Sequence, residues 1–223
     1  MKHIPAFILF LFTGTTLCAQ LSVGPSVSAN LTFWDWSIAP LGKIDFDPAL
    51  NYRLAVPVVY TLSNRVELRA EAAYARRTQG NLEVTDENGN DAVKASITYQ
   101  YWEGSLLGAV RPFSRMRALY LLGGATMARL TDSAIFDTKG KSASGFGGDR
   151  KIPNDFDQLN RINWMVDIGV GSSKRIGPKG SIFVEMRLQK NLIDVAKSAQ
   201  ASIDYTTFLL SAGYLHHLVK AKS

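Results

Sequence analysis

Nine charged residues lie at alternate positions within apolar stretches, and they are the strongest candidates in this sequence for chemistry. Alternate residues of an extended strand point to the same side. Paired carboxylates placed in this way could act as general acid and base, but each glutamate here has an arginine candidate on the same face. We therefore predict a charge-paired network, formed by Arg53, Glu67, Arg69, Glu71, Glu103, Arg111, Asp167, Glu185 and Arg187.

Histidine is the second residue type that could do chemistry, and beyond residue 3 the chain contains only His216 and His217. Ser211 shares the predicted face of His217, but six residues of extended strand separate them by about 20 Å. Because this spacing allows no local nucleophile–base pair, we predict that the protein is not an enzyme. The sequence predicts no catalytic residues, no metal ligands and no cofactor.

The elements that must position these charges are extended strands. In SIFVEMRLQ (181–189), residues 182, 184, 186 and 188 are apolar and face one side, whereas Glu185 and Arg187 face the other. This period of two is typical of a half-buried strand, and no stretch requires a helix. The eight predicted strands are residues 21–33, 51–62, 65–77, 96–112, 117–130, 161–174, 181–189 and 206–218.

The connections between these strands alternate between short and long. The short ones are SN (63–64), SRMR (114–117) and GPKG (177–180), and the last has the composition of a turn. The long ones are Asp35–Leu50, Gln79–Ala95, Thr131–Asn160 and Ile193–Ser202. Short turns at one end and long loops at the other, on an even number of strands, are typical of bacterial outer-membrane barrels.

The N-terminus predicts export. A basic start, an apolar run over residues 4–11 and small residues near Ala19 are typical of a secretory signal peptide. We expect residues 1–19 to be removed, together with Cys18, the single cysteine, leaving one domain over residues 20–223. The formal charge of +6 then becomes 24 − 19 = +5, since the leader holds one lysine. Without a dense basic tract, nucleic acid is not an expected partner.

Alternation alone fits either a soluble β-sandwich or a barrel in lipid. Aromatic residues near strand ends favour lipid, because amphipathic rings prefer the interface between membrane and water. We predict an aromatic girdle formed by Trp34, Trp36, Tyr52, Tyr60, Tyr74, Tyr120, Trp164 and Tyr214. The predicted fold class is all-β: an eight-stranded antiparallel transmembrane β-barrel with short periplasmic turns and long extracellular loops.

Three stretches resemble the small outer-membrane β-barrel family of Bacteroidetes-type bacteria, also called porin-family or PorT-like. They are CAQ at the end of the leader, YQYWEGSLLGAVRPF (99–113) and YLLGGATMARL (120–130). The last strand, LLSAGYLHHL, is similar to the C-terminal assembly signal of such barrels, but His216 and Leu218 stand where aromatic residues are favoured. The resemblance implies residence in the bacterial outer membrane and a possible accessory part in protein export.

The predicted function is an integral outer-membrane protein with a filled polar lumen and a structural, adhesion or secretion-accessory role. The expected partners are outer-membrane lipid and lipopolysaccharide, and an envelope or secretion protein bound through the extracellular loops. Three alternatives stay open: a small-solute channel of porin type, a lipid A-modifying enzyme and a secreted soluble lipocalin-like binder.

Overall fold

A computed structural model describes residues 20–38, 42–45, 47–84, 93–113, 116, 118–139, 150–152, 159–196 and 201–218. The predicted signal peptide therefore lies outside the described residues. Among the described residues there are eleven strands, in chain order β1 (Gln20–Val23), β2 (Ser26–Ile38), β3 (Gly42–Asp45), β4 (Ala49–Thr61), β5 (Val66–Val84), β6 (Val93–Val110), β7 (Leu119–Lys139), β8 (Arg150–Ile152), β9 (Ile162–Ile176), β10 (Gly180–Asn191) and β11 (Ala201–His217).

Eight long strands form a closed antiparallel ring. Around the ring, β2 is followed by β4, β5, β6, β7, β9, β10 and β11, and β11 pairs again with β2. This closing register runs from Ala201 opposite Ile38 to Gly213 opposite Ser26. The predicted eight-stranded antiparallel barrel is confirmed, and a sandwich of two separate sheets is ruled out.

The predicted first strand is interrupted, and the interruption explains a proline in a neighbouring strand. Gly24 and Pro25 separate β1 from β2, although both strands pair with β4. Proline lacks an N–H group and is normally excluded from the middle of a sheet. Pro57 of β4 lies opposite this break, where its carbonyl accepts from the Gly24 N–H at 3.3 Å. Pro25 and Pro57, which both lack an N–H donor, thus lie at the same interruption of the hydrogen bonding between strands.

Three strands extend further than the sequence predicted. β5, β6 and β7 contain 19, 18 and 21 residues, against 12 in β10. Their far ends pair with each other beyond the ring, as Glu83 does with Lys94, and the short β8 pairs with β7. Consequently the boundary predicted at Gln79 is wrong, because strand pairing continues to Val84 opposite Val93. The predicted short turns at 63–64 and 177–180 are confirmed at the other end of the barrel, where β4–β5 and β9–β10 connect. The predicted turn SRMR lies outside the described residues except for Met116.

The predicted sidedness is confirmed along the wall. On β4, Tyr52, Leu54 and Val56 are exposed, whereas Arg53 and Ala55 between them are buried. The same alternation holds on β10, where Val184 and Met186 are exposed and Glu185 and Arg187 are buried. No helix in the described part of the chain is long and apolar enough to cross a membrane.

Candidate functional site: the filled lumen

All nine residues of the predicted charge network face the inside of the barrel. Eight of them are buried and Arg111 is half-buried. An eight-stranded barrel leaves an interior just wide enough for side chains to fill, so these charges lie close to one another and to the polar side chains around them. The sequence predicted only that these side chains lie on the same face of their strands. The tertiary structure determines which arginine pairs with which glutamate.

Glu71 is the centre of the network. Its Oε2 accepts from Arg53 Nη2 at 3.0 Å and from Arg187 Nη1 at 2.8 Å. Its Oε1 accepts from Arg187 Nη2 at 2.5 Å, and Arg69 Nη1 lies 3.7 Å away. One carboxylate therefore ties together arginines from strands β4, β5 and β10. A buried charge needs such partners, because an unpaired one would be strongly destabilising.

Glu185 is the second shared carboxylate, and it depends on space created by a glycine. It accepts hydrogen bonds from Arg69, from Arg187 Nε at 2.9 Å and from the Tyr120 hydroxyl at 2.5 Å. A Cβ at Gly171 would lie 2.5 Å from the Tyr120 ring. Tyr120 can thus lie inside the barrel only because β9 has no side chain at this position.

Arg77 belongs to the network but lies beyond the set predicted from the sequence. Its Nη2 donates to Glu103 Oε1 at 2.5 Å and to Gln189 Oε1 at 3.3 Å. Its guanidinium carbon lies 4.9 Å from the centre of the Tyr101 ring and 5.2 Å from that of Tyr205, within the range of cation–π attraction. The sequence could have predicted this, because Arg77 is an odd-numbered residue of β5, as are the inward-facing Glu67, Arg69 and Glu71.

Asp167 differs from the glutamates because its hydrogen-bond partners are neutral. Thr126 Oγ1 and Gln189 Nε2 both donate to its carboxyl oxygens at 2.7 Å. Counted with Glu71, Glu103 and Glu185, it brings the deep carboxyl groups to four, against four buried arginines at 53, 69, 77 and 187. The deep cluster therefore contains as many acidic as basic side chains.

The long-loop end of the lumen is closed by apolar packing. The Trp34 ring lies 5.3 Å from that of Tyr99 and 4.9 Å from that of Tyr205. Val195 and Ala196 from the β10–β11 connection pack into the same cluster. That connection is held in place by Asp194 Oδ1, which accepts from the N–H groups of Ala196 and Ile203 at 2.9 and 2.8 Å. We call this group the aromatic plug: Trp34, Tyr99, Tyr101, Ala128, Leu130, Leu159, Met165, Val195, Ala196, Ile203 and Tyr205.

The short-turn end of the lumen holds a polar cavity of about 280 Å³. Arg111 pairs there with Glu67 at 2.7 Å, an ion pair whose side chains are 14% and 11% exposed. We call this space the turn-side cavity; it is lined by Gln20, Ser22, Val59, Thr61, Ser63, Asn64, Glu67, Arg69, Arg111, Tyr120, Ser173, Arg175, Ser181, Phe183, Leu215 and His217.

His217 has a serine partner, but not the one considered from the sequence. His217 Nδ1 lies 2.8 Å from Ser22 Oγ, because β1 pairs with the end of β11 across the barrel closure. Ser211 instead hydrogen-bonds to Ser28 at 2.7 Å. The Ser22–His217 contact joins residues 195 positions apart, so no local pattern could have indicated it.

The predicted aromatic girdle divides into two groups. Tyr52, Trp164 and Tyr214 are exposed on the outer face, and Tyr60 and Tyr74 are partly exposed there. Trp34 and Tyr120 are 5% and 1% exposed and lie inside the barrel, so their assignment to an outward belt is wrong. For Trp34 the parity of its own strand gave the correct side, since Phe33 next to it faces outward. The side chain of Trp36 lies outside the described part of the structure.

Comparisons with known proteins find similar barrels among solved structures. Neisserial surface protein A is 16% identical (TM-score 0.40), with 86% of this chain and 96% of that chain covered. Ail, the attachment invasion locus protein of Yersinia pestis, is 16% identical (TM-score 0.37), with coverage of 88% and 97%. The outer membrane protease OmpT from Escherichia coli is 10% identical (TM-score 0.44), with coverage of 89% and 97%.

No protein-family model and no curated protein sequence matches the chain. With TM-scores below 0.5, the structural similarities identify neither a family nor a function for it. The PorT-like resemblance therefore stays a prediction.

Proposed function

We propose that this protein is an integral protein of the bacterial outer membrane, with a filled, non-conducting lumen, which acts by binding through its ends. The observation that carries the proposal is the inverted arrangement of the wall. Charged side chains fill the inside, and large apolar side chains cover the outside. In water this arrangement would leave an extended apolar surface exposed, which soluble monomers avoid.

The apolar surface has the dimensions that a bilayer requires. On β9 the residues at 162, 164, 166, 168 and 170 are apolar and between 40% and 58% exposed. They span nine residues, and about 9–11 residues of tilted strand cross the hydrocarbon core. Since the ring is closed, the wall leaves no open sheet edge in lipid, which satisfies the strictest condition for a membrane protein.

The soluble lipocalin-like alternative is disfavoured by the same inversion. A soluble binding barrel of this size needs an inner cavity for its ligand and a polar outer face. Here the centre is occupied by Arg53, Glu71 and Arg187, each 1–5% exposed. We therefore regard a soluble lipocalin-like binder as less well supported than an outer-membrane protein.

The filled lumen also disfavours a porin-type channel. From the long-loop end, a solute would have to pass the aromatic plug and then the Glu71 cluster, by which we mean Glu71 with Arg53, Arg69 and Arg187. Both are side-chain structures with many contacts, and opening a path would require breaking several of them together. A binding role is left to the two ends, and we propose adhesion or secretion-accessory binding through the long loops. Lipopolysaccharide and an envelope or secretion protein are the proposed partners.

The decisive experiment is side-specific cysteine labelling in intact cells. Cys18 is the only cysteine of the chain and belongs to the predicted leader, so single-cysteine variants have a clean background. We compare Ser144→Cys, in the predicted loop 131–160, with Asn64→Cys, in the exposed turn between β4 and β5. A membrane-impermeant maleimide should label the first in intact cells and the second only after lysis.

The unaltered chain is the background control, and an electrophoretic comparison of unheated and boiled samples reports whether each variant is folded. The proposal would be refuted if a folded variant is recovered without detergent, or if the maleimide labels both folded variants in intact cells. Single-channel conductance in a planar bilayer would instead support the channel alternative.

A further inference from the structure

We propose that the turn-side cavity binds a small oxyanion of the carboxylate or phosphate class, held by Arg175 together with Ser22, Ser173, Ser181 and His217. This site goes beyond the proposed function. It rests on the geometry of the lumen and not on the placement of the barrel in a membrane.

The charge distribution indicates an anion. Three arginines and one glutamate line the cavity. Arg69 is paired with Glu185, and Arg111 is paired with Glu67. Arg175 makes no ion pair within the part of the chain that the structure describes, and its Nη2 donates only to the Pro178 carbonyl at 3.1 Å. One guanidinium, which can donate several hydrogen bonds in a planar fork, is thus left without a carboxylate.

The polar groups beside Arg175 lie on four neighbouring strands at the same end of the barrel. Arg175 of β9 is paired with Ser181 of β10, which is paired with Leu215 of β11. His217 of β11 is paired with Ser22 of β1, and their side chains are in contact at 2.8 Å. Strand pairing therefore fixes a guanidinium, an imidazole and three hydroxyl groups along one side of the cavity, with Ser173 on β9 completing the set.

The size of the cavity favours a small ligand. Its volume of about 280 Å³ lies near the lower limit of pockets that hold small molecules, which is about 300 Å³. The inner wall is closed by Arg69, Tyr120 and Phe183, so a ligand must enter from the turn side. Under the proposed export, cleavage after Ala19 would add the amino group of Gln20 to the lining, a further positive charge.

The chain offers a site-specific readout of binding, because His216 and His217 are its only histidines beyond residue 3. His217 lines the cavity, whereas His216 is exposed on the outer face. We titrate the full chain, expressed with its leader and purified from membranes in detergent, with inorganic phosphate and separately with acetate. The ¹⁵N imidazole signals are assigned with His216→Gln, and the signals of His217 should shift in a saturable way with at least one of the two anions.

The matched variants are Arg175→Gln and Lys174→Gln. Both remove one positive charge from neighbouring exposed positions of β9, but only Arg175 lines the cavity. Arg175→Gln should weaken binding about tenfold, the equivalent of one charge-assisted hydrogen bond, and Lys174→Gln should leave it within about twofold.

The two anions separate the possible sources. Saturation with phosphate alone indicates a phosphate-bearing ligand, and saturation with acetate alone indicates a carboxylate such as a peptide terminus. Absence of saturation with both anions, equal shifts at His216 and His217, or equal affinities of the two variants would each overturn the site. None of these results depends on the labelling experiment, so failure here leaves the proposed membrane placement intact.

Discussion

The two ends of the lumen differ in packing, although the same eight strands form both. At the long-loop end, Trp34, Tyr99 and Tyr205 pack ring against ring, and the β10–β11 connection folds in beside them. At the short-turn end, the strands leave a polar cavity with one ion pair between Arg111 and Glu67. The barrel therefore determines only the available space, and the residues at each end decide whether that space is packed or left open.

The Glu71 cluster separates these two ends, and its disruption should have the largest effect. Glu71→Gln leaves Arg53 and Arg187 without a shared carboxylate in a water-poor interior. Removing one partner of a buried ion pair destabilises by about 3–5 kcal/mol. Urea unfolding in detergent micelles measures the free energy of unfolding. A loss below about 1 kcal/mol would mean that water reaches the centre, and the contrast between the two ends would then disappear.

The aromatic plug should be next in size. Trp34→Ala removes a buried ring from between Tyr99 and Tyr205, and such truncations cost about 3 kcal/mol or more. The matched control is Trp164→Ala on the outer face, where the ring is 44% exposed and its removal leaves no cavity. The same unfolding assay compares the two variants. If both lose equal stability, the ring of Trp34 is not packed as the structure shows.

The ion pair at the short-turn end should contribute least. Glu67→Gln breaks the contact with Arg111 beside the turn-side cavity, where the two side chains are 11% and 14% exposed, against 1–3% in the ion pairs of Glu71. Fully exposed pairs contribute at most about 1 kcal/mol, and breaking a fully buried pair costs about 3–5 kcal/mol. This pair lies between the two limits, and salt screens it because it borders an open cavity. We expect a small loss in unfolding free energy that shrinks when sodium chloride is added. A loss as large as that of Glu71→Gln would show that the two positions are equally buried.

Most of the wall could be predicted from the sequence. The alternation in β4, β5, β9 and β10 identified each strand and the side on which its charges lie. This succeeded because a period of two fixes the face of every residue once one face is known. Arg77 was left out of the predicted network, and Trp34 was assigned to the outer face. Both errors arose because the alternation was not continued to the end of β5 and β2.

The misplacement of Tyr120 has a different origin. Its inward position depends on Gly171 of another strand, which leaves room for the ring. The Gly24–Pro25 break likewise depends on Pro57, which lies opposite it in β4. Such features require the register between strands, and alternation within one strand contains no information about register.

By itself, the sequence determined eight amphipathic strands, an apolar face on each and a set of charges on the opposite face, since these follow from local periodicity. Only the tertiary structure decided which arginine meets which glutamate, that the β10–β11 connection closes one end, and that Ser22 meets His217 at the other. These contacts join residues far apart in the chain, among them Arg69 with Glu185 across 116 positions. They exist only because closing the ring brings β1 beside β11 and lets side chains of β5 and β10 meet across the lumen.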